Sequence, residues 1–291
     1  MVDTTYHQEL RELKDDVFCL AFELETLAGI VTQGILERWV PGYTAGIVDI
    51  EHAARYRWVS QYVNDKRVLD ISCGAGRGSY ILAEEGKAKE VLACDIDPKV
   101  IKYASIRNRH ERVTFDVRDA EGFTTNRLFD VIVSFETIEH LANVDTYLQH
   151  MQDSLADNGS FFVSTPISAM DLDEHCGNPY HIREWGFLEF QKIMARHFRI
   201  EQVYVQLHPV KMAELKQHLG SFMYPLKLSH LSYLSRVIAG RIDTKLLNRG
   251  KQADLPYTEI LKPVIWNPDI CPIAALGKII FGFQILQCKK P

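Results

Sequence analysis

Residues 67–78 read Arg67-Val68-Leu69-Asp70-Ile71-Ser72-Cys73-Gly74-Ala75-Gly76-Arg77-Gly78, and the fold turns on this stretch. Val68, Leu69 and Ile71 form the short apolar run of a buried strand, and Ser79-Tyr80-Ile81-Leu82-Ala83-Glu84 opens a helix directly after the glycines. Strand, Gly-rich turn and helix in that order put the unpaired N–H groups of a helix start beside a turn that lets a ligand approach the backbone. A second strand, Val91-Leu92-Ala93-Cys94, leads to Asp95, about twenty residues on, where an α/β nucleotide site places a ribose-binding carboxylate. The glycines run G-x-G-x-G, not G-x-G-x-x-G. That spacing disfavours a dinucleotide and suits a ligand lying along the turn without a pyrophosphate.

With Asp70 and Asp95 in place, the stretch resembles the first motif of the Rossmann-like S-adenosylmethionine-dependent methyltransferases, V-L-D-x-G-C-G-x-G-x-G. It departs only at Ser72, where the family carries Gly. The resemblance implies S-adenosylmethionine as cofactor. It also implies an α/β fold: a seven-stranded, mostly parallel sheet whose last strand is antiparallel. Further along, Glu37-Arg38-Trp39-Val40-Pro41 and His52-Ala53-Ala54-Arg55-Tyr56 are similar to segments of methyltransferases from bacterial glycan and secondary-metabolite clusters. By that resemblance the helix of His52, Arg55 and Tyr56 covers the cofactor, and Arg55 or Arg38 pairs with its carboxylate. The cofactor set so implied is Arg55, Tyr56, Asp70, Ser72, Gly74, Gly76, Asp95, Ile96, Asp119, Ala120 and Phe135, with Asp119 accepting from the adenine amine.

The rest of the chain supplies alternating elements. Asp97-Pro98 is an N-cap followed by an N1 proline, so a helix is expected over 98–109. Strands follow at Val113–Phe115, at Phe129–Phe135 (similar to the family's F-D-x-I-x-S segment), at Ser160–Ser164 after an Asn158-Gly159 turn, and at Ile200–Val205. Helices are expected over 143–156 and 184–197, and alternation of this kind predicts a mostly parallel sheet. The best candidate for the antiparallel last strand is Lys278–Leu286, which makes residues 207–275 an insertion before it. The expected division is an N-terminal helical extension (1–50), a methyltransferase core (51–206), a basic cap (207–275) and the last core strand (276–291).

Two of these regions carry their own signal. Tyr6, Leu10, Leu13, Val17, Leu20, Leu24, Leu27 and Val31 step by four and three alternately, the seam of a coiled coil, within a helix expected over 6–40 and stopped by Pro41-Gly42. Its partner is either a second subunit, giving a homodimer, or the chain's own domain. Between Leu207 and Lys251, eight Lys and Arg face two acids, a local charge of +6 in a chain of net charge −5. This asymmetry suits either a solvated helix face or a cap that attracts an anionic acceptor.

Composition excludes several classes. With 46% hydrophobic and 24% charged residues the chain reads as an ordinary globular protein, and its net charge makes no case for nucleic-acid binding. The six cysteines have no C-x-x-C pairing and no basic leader opens the sequence, so a reduced, cytoplasmic protein is expected. The most apolar stretch, Cys271 to Cys288, is broken by Pro272, Lys278 and Gln284, against a membrane span.

The chemistry-bearing segments are Glu136-Thr137-Ile138-Glu139-His140 after the fourth strand and Asn178-Pro179-Tyr180-His181 in a later polar loop. Both are expected over the carboxyl end of the sheet. Methyl transfer to a hydroxyl needs positioning and a base or a metal. His140, His181 and Glu139 are the catalytic candidates, with His140 as base at neutral pH. Glu136, Glu139, His140 and His181 also make a donor set for a divalent metal. That set resembles the metal site of small-RNA 3′-terminal 2′-O-methyltransferases and of some ubiquinone-pathway O-methyltransferases. The expected acceptor is a sugar or glycan hydroxyl. Rival readings are a small aromatic or polyketide-like metabolite, and a cofactor-binding fold that serves as a non-catalytic partner.

Overall fold

In a computed structural model of the 291-residue chain, the described residues are 2–33, 38–43, 46–167, 178–207, 262–263 and 282–291. The elements run α1 (Val2–Gln33), α2 (Gly46–Ser60), β1 (Arg67–Ile71), α3 (Arg77–Glu84), β2 (Glu90–Asp95), α4 (Pro98–Arg107), β3 (Val113–Val117), β4 (Phe129–Phe135), a 3-10 turn (Ile138–His140), α5 (Val144–Ser154), β5 (Leu155–Pro166), α6 (Phe187–Met194), β6 (Arg199–Leu207), β7 (Lys262–Pro263) and β8 (Gly282–Lys289). The sheet order is β3-β2-β1-β4-β5-β8-β6-β7. The pairs from β3 to β5 are parallel, and β8 lies antiparallel between β5 and β6. This is the expected seven-stranded Rossmann-like sheet. It carries one addition: Lys262 and Pro263, from within the expected cap, pair with Val205 and Tyr204 as a two-residue edge.

Period two along the strands builds the two layers. Val68 of β1, Val91 of β2 and Val131 and Val133 of β4 pack with Tyr56, Trp58, Ile81 and Leu82 under α2 and α3. Leu69, Ile71, Ile132, Phe161, Val163 and Leu286 face the other way, onto Tyr147, Leu148, Phe190 and Met194 of α5 and α6. The chain order turns back between β1 and β4, so the crevice for a ligand opens at their carboxyl ends.

Several boundaries differ from the sequence reading. The last strand, described over Gly282–Lys289, runs beyond the expected Leu286, because Cys288 pairs with Phe161 and Ile200 and is fully buried; the expected first residues, 278–281, lie outside the described residues. The Asn158-Gly159 turn is absorbed into β5 as an irregularity: the register steps from Leu155 to Ser160 while β4 steps only from Phe129 to Val131. The basic segment 208–251, the loop acids Asp171, Asp173 and Glu174, and Cys176 and Cys271 lie outside the described residues. Cys19, Cys73, Cys94 and Cys288 are free and buried. Among the described residues, no helix is long and apolar enough to cross a membrane.

Candidate active site

The three glycines of the turn answer three different demands. A Cβ on Gly78 would lie 2.1 Å from the ring of Tyr56, and one on Gly76 would lie 2.6 Å from Phe115, in a residue that also sits at φ +80°. Those two glycines make room for protein. Gly74, at φ +55°, has nothing within 4 Å of its missing Cβ, so the space there is open to a ligand. Asp95, at the end of β2, accepts from the Gly74 N–H (3.0 Å) and the Asp97 N–H (3.1 Å), which ties the turn to the neighbouring strand. Beside it Ile96 is exposed, a large apolar side chain free to meet a flat ligand. Asp119 is exposed with one oxygen on the Glu121 N–H, and Ala120 and Phe135 are buried. An open glycine edge, a carboxylate at the next strand end and an exposed apolar residue fit a nucleoside lying across β1 and β2.

Asp70 has a different setting from Asp95. It is fully buried, accepting from the Tyr56 hydroxyl (3.0 Å) and the Ser79 hydroxyl (2.5 Å), and burial pushes its carboxyl up to about 7. Tyr56 in turn lies edge-on to Phe135, with ring centroids 5.2 Å apart. The pair thus bolts α2 to β1 beneath the turn. A strap of residues 38–43 completes that side. Arg38 pairs with Asp97 (2.9 Å), Trp39 donates to Asp49 (2.7 Å), and Trp39 stacks on His52. Arg38 therefore spends its charge on the cap of α4. Arg55 is fully buried: Nη1 donates to Gln206 (2.7 Å) and the guanidinium sits 4.2 Å over the Phe283 ring, but Nε and Nη2 have no partner.

The second cluster grows from the end of β4. Glu136 leaves the strand at φ +52°, a left-handed backbone that costs energy for any residue but glycine. The turn that follows puts Glu139 beside β5. Ser164 and Thr165, adjacent on β5 and so pointing to opposite faces, donate to Glu136 (2.6 Å) and Glu139 (3.2 Å) respectively. The Glu139 carbonyl accepts from the Ile182 and Arg183 N–H groups, which pins the later loop onto the turn. That tie brings the His140 and His181 rings to 4.9 Å. His140 Nδ1 lies 3.0 Å from the Tyr180 carbonyl, an acceptor only, so Nδ1 carries the proton and Nε2 the lone pair. His181 Nδ1 meets Glu184 (2.6 Å), and its Nε2 lies 3.0 Å from the Asn178 amide nitrogen.

One ligand atom each from Glu139, His140 and His181 lies within 4.8 Å of the other two. Glu136, the fourth expected member, stands with Ser164 instead. Burial, and then the charge of Glu136, pushes the Glu139 carboxyl well above the usual range, and its Oε1 has no hydrogen-bond partner. A cleft of about 420 Å³ opens beside the pair, lined by Leu141 to Thr146 and by Ile182 and Arg183, the residues that follow the two histidines.

The sequence reading named the histidines and acids but not the hydroxyls that seat them, nor Gln206 beneath Arg55. The signal was present: Ser164-Thr165 is a polar pair directly after the apolar run Phe161-Phe162-Val163, and Gln206 a polar residue at the end of β6.

Residues 63–219 match the model of a methyltransferase domain, more than half of the chain. The chain belongs to this family of S-adenosylmethionine-dependent methyltransferases. It is 30% identical over 179 residues to "Probable S-adenosylmethionine-dependent methyltransferase" of Mycolicibacterium smegmatis, covering 59% of this chain and 67% of the relative. It is 34% identical over 102 residues to the ubiquinone biosynthesis O-methyltransferase of Cereibacter sphaeroides, covering 34% of this chain and 40% of that one. The crystal structure of an S-adenosylmethionine-dependent methyltransferase from Mesorhizobium loti shares the fold at TM-score 0.51 and 14% identity, over 84% of this chain and all of that one. The matches reach from under half to two thirds of the length of these curated relatives.

Proposed function

We propose that the protein transfers a methyl group to a hydroxyl of a sugar or glycan, with His140 taking the proton. The observation that carries this is the placement of His140, whose Nδ1 lies 3.0 Å from the Tyr180 carbonyl. A proton on Nδ1 in that contact makes Nε2 the basic nitrogen. Bound S-adenosylmethionine supplies an electrophilic methyl on a sulfonium. The chain's own work is to hold it along Gly74, Asp95, Ile96 and Asp119, and to offer the unpaired donors of Arg55 to its carboxylate. A hydroxyl acceptor has too high a pKa to react unaided, so a base within reach matters more than for an amine. The cleft beside the histidines supports a polyhydroxylated acceptor, since Asn143, Asp145, Thr146 and Arg183 line it.

A second reading is favoured by the convergence of Glu139, His140 and His181: the three would hold a divalent ion, which would supply a Lewis acid to lower the acceptor's pKa. Glu184 on His181 Nδ1 and the Tyr180 carbonyl on His140 Nδ1 are the outer contacts such ligands need. Asn178 would have to turn away from His181 Nε2.

His140→Ala distinguishes a catalytic His140 from a scaffold. Turnover is expected to fall about a hundredfold or more, with calorimetric affinity for S-adenosylhomocysteine unchanged. A fully active variant removes His140 from the chemistry. Activity that is lost to a chelator and restored by added metal selects the second reading.

A further inference from the structure

We propose that α1 pairs with the α1 of a second copy of this chain as a parallel two-stranded coiled coil. The helix has two apolar faces, and its own domain uses one. Phe22 stacks on Tyr103 of α4 (ring centroids 4.4 Å), and Lys102 sits 4.0 Å over the Phe18 ring. Glu23 accepts from Tyr43, Tyr103 and Arg107. Cys19 and Phe22 are buried there with Val40 and Ala75.

The other face is in water. Tyr6, Leu13, Val17, Leu20, Leu24, Leu27 and Val31 are all exposed, Leu24 at 65% and Val31 at 83%. With Leu10 these residues alternate steps of four and three without a break over the helix. In heptad terms Tyr6, Leu13, Leu20 and Leu27 stand at d, and Leu10, Val17, Leu24 and Val31 at a. Phe18, Cys19 and Phe22 then fall at b, c and f, the side opposite the seam. Docking on the chain's own domain and pairing with another helix therefore do not compete.

Residue choice and charge select the partner and its direction. Leu at three d positions with Val at two of four a positions favours two parallel strands. A parallel pair sets Glu9, at g, against Lys14 of the partner subunit, at e. An antiparallel pair would bring g positions to face one another, the acidic Glu9 and Asp16 among them, and would lose the Glu9–Lys14 match; Glu23 is already held by Tyr43, Tyr103 and Arg107. A 32-residue helix is about 48 Å long. Two such stripes in contact cover on the order of 1,200 Å², enough for a specific interface.

Size-exclusion chromatography with light scattering on the full chain tests this. The expected mass at micromolar concentration is that of two chains. Leu20→Lys with Leu24→Lys, both outward, should give one chain with an unchanged far-UV circular dichroism spectrum and unchanged S-adenosylhomocysteine binding. Leu13→Cys, at a d position, should cross-link to a covalent dimer on mild oxidation while the wild-type chain does not, and it decides the matter if the double variant fails to fold. A monomeric wild-type chain, a dimeric double variant or an uncross-linked Leu13→Cys overturns the proposal. The first of these would assign the stripe to a cover from the same chain.

Discussion

On the β1–β2 side of the crevice, Asp70 and Asp95 each have both carboxylate oxygens held by protein donors. On the β4–β5 side, Glu139 has one oxygen buried without a partner, and Arg55, behind Glu136, has two unpaired nitrogens. The first side is finished before any ligand arrives. Its carboxylates brace the backbone, and the turn presents a shape. The second side is unfinished: buried groups are left short of partners, at a cost of about 1–3 kcal/mol each, and Glu136 sits in a left-handed backbone. Unmet hydrogen bonds of buried groups gather on the β4–β5 side, where the acceptor and the cofactor's carboxylate are proposed to lie, while the carboxylates of the β1–β2 side are spent on bracing the turn.

The largest effect expected from this contrast is at Gly78. Gly78→Ala puts a Cβ 2.1 Å from a Tyr56 ring that cannot retreat, because its hydroxyl is held by Asp70 and its edge by Phe135. A loss of about 3 kcal/mol is expected, read as a fall in thermal midpoint of roughly 6–12 °C. Gly74→Ala is the companion: it has space for the methyl but an unfavourable φ, so it should cost only about 1 kcal/mol of stability and act mainly on S-adenosylhomocysteine affinity. Equal melting of the two variants would mean that the first side is not rigid.

The unfinished side should respond with the opposite sign. Glu139→Gln keeps the shape and the Thr165 contact but removes a carboxyl whose ionised form is disfavoured by burial and by the charge of Glu136. Because the folded-state pKa is raised, the wild type is most stable below the unfolded carboxyl's titration. It loses stability as pH climbs toward the folded value. The variant is expected to be about 1–2 kcal/mol more stable at neutral pH, with no advantage near pH 4, and to turn over more slowly. Denaturant curves at both pH values check this. A variant less stable at neutral pH would show that Glu139 is charged and needed in the fold.

How far each side could be read in the sequence follows the same division. The β1–β2 side is made by near-contiguous residues, a strand, three glycines and a helix start, so spacing pointed to the turn and to Asp95, and the family resemblance to Gly74 and Gly76 in particular. The β4–β5 side joins residues 136–140, 164–165, 178–184 and 206, and no local pattern states that Thr165 seats Glu139 or that the Glu139 carbonyl pins the His181 loop. Type and position could still be guessed, since polar residues at the carboxyl ends of apolar strands have few other uses. For Asp70 the structure adds what the motif did not state: fully buried between Tyr56 and Ser79, it braces α2 against β1. The α1 seam was visible as a period, yet only the packed structure shows that the helix's own domain takes the opposite face.

The smallest effect is at the one position where the turn departs from its family. Ser72 sits at φ +61°, the left-handed region that glycine adopts freely and a side chain resists by about 1–2 kcal/mol. Replacing it with glycine removes that resistance but also loosens the unfolded chain, an opposing cost of about 0.5–1 kcal/mol. Ser72→Gly should therefore stabilise the protein by less than about 1 kcal/mol, seen as a small rise in denaturation midpoint with S-adenosylhomocysteine affinity unchanged. A clear loss of affinity would give the Ser72 hydroxyl a place in the ligand site and move this residue from the finished side of the comparison to the unfinished one. Unchanged affinity with a higher midpoint would show that the turn carries its strain without using it.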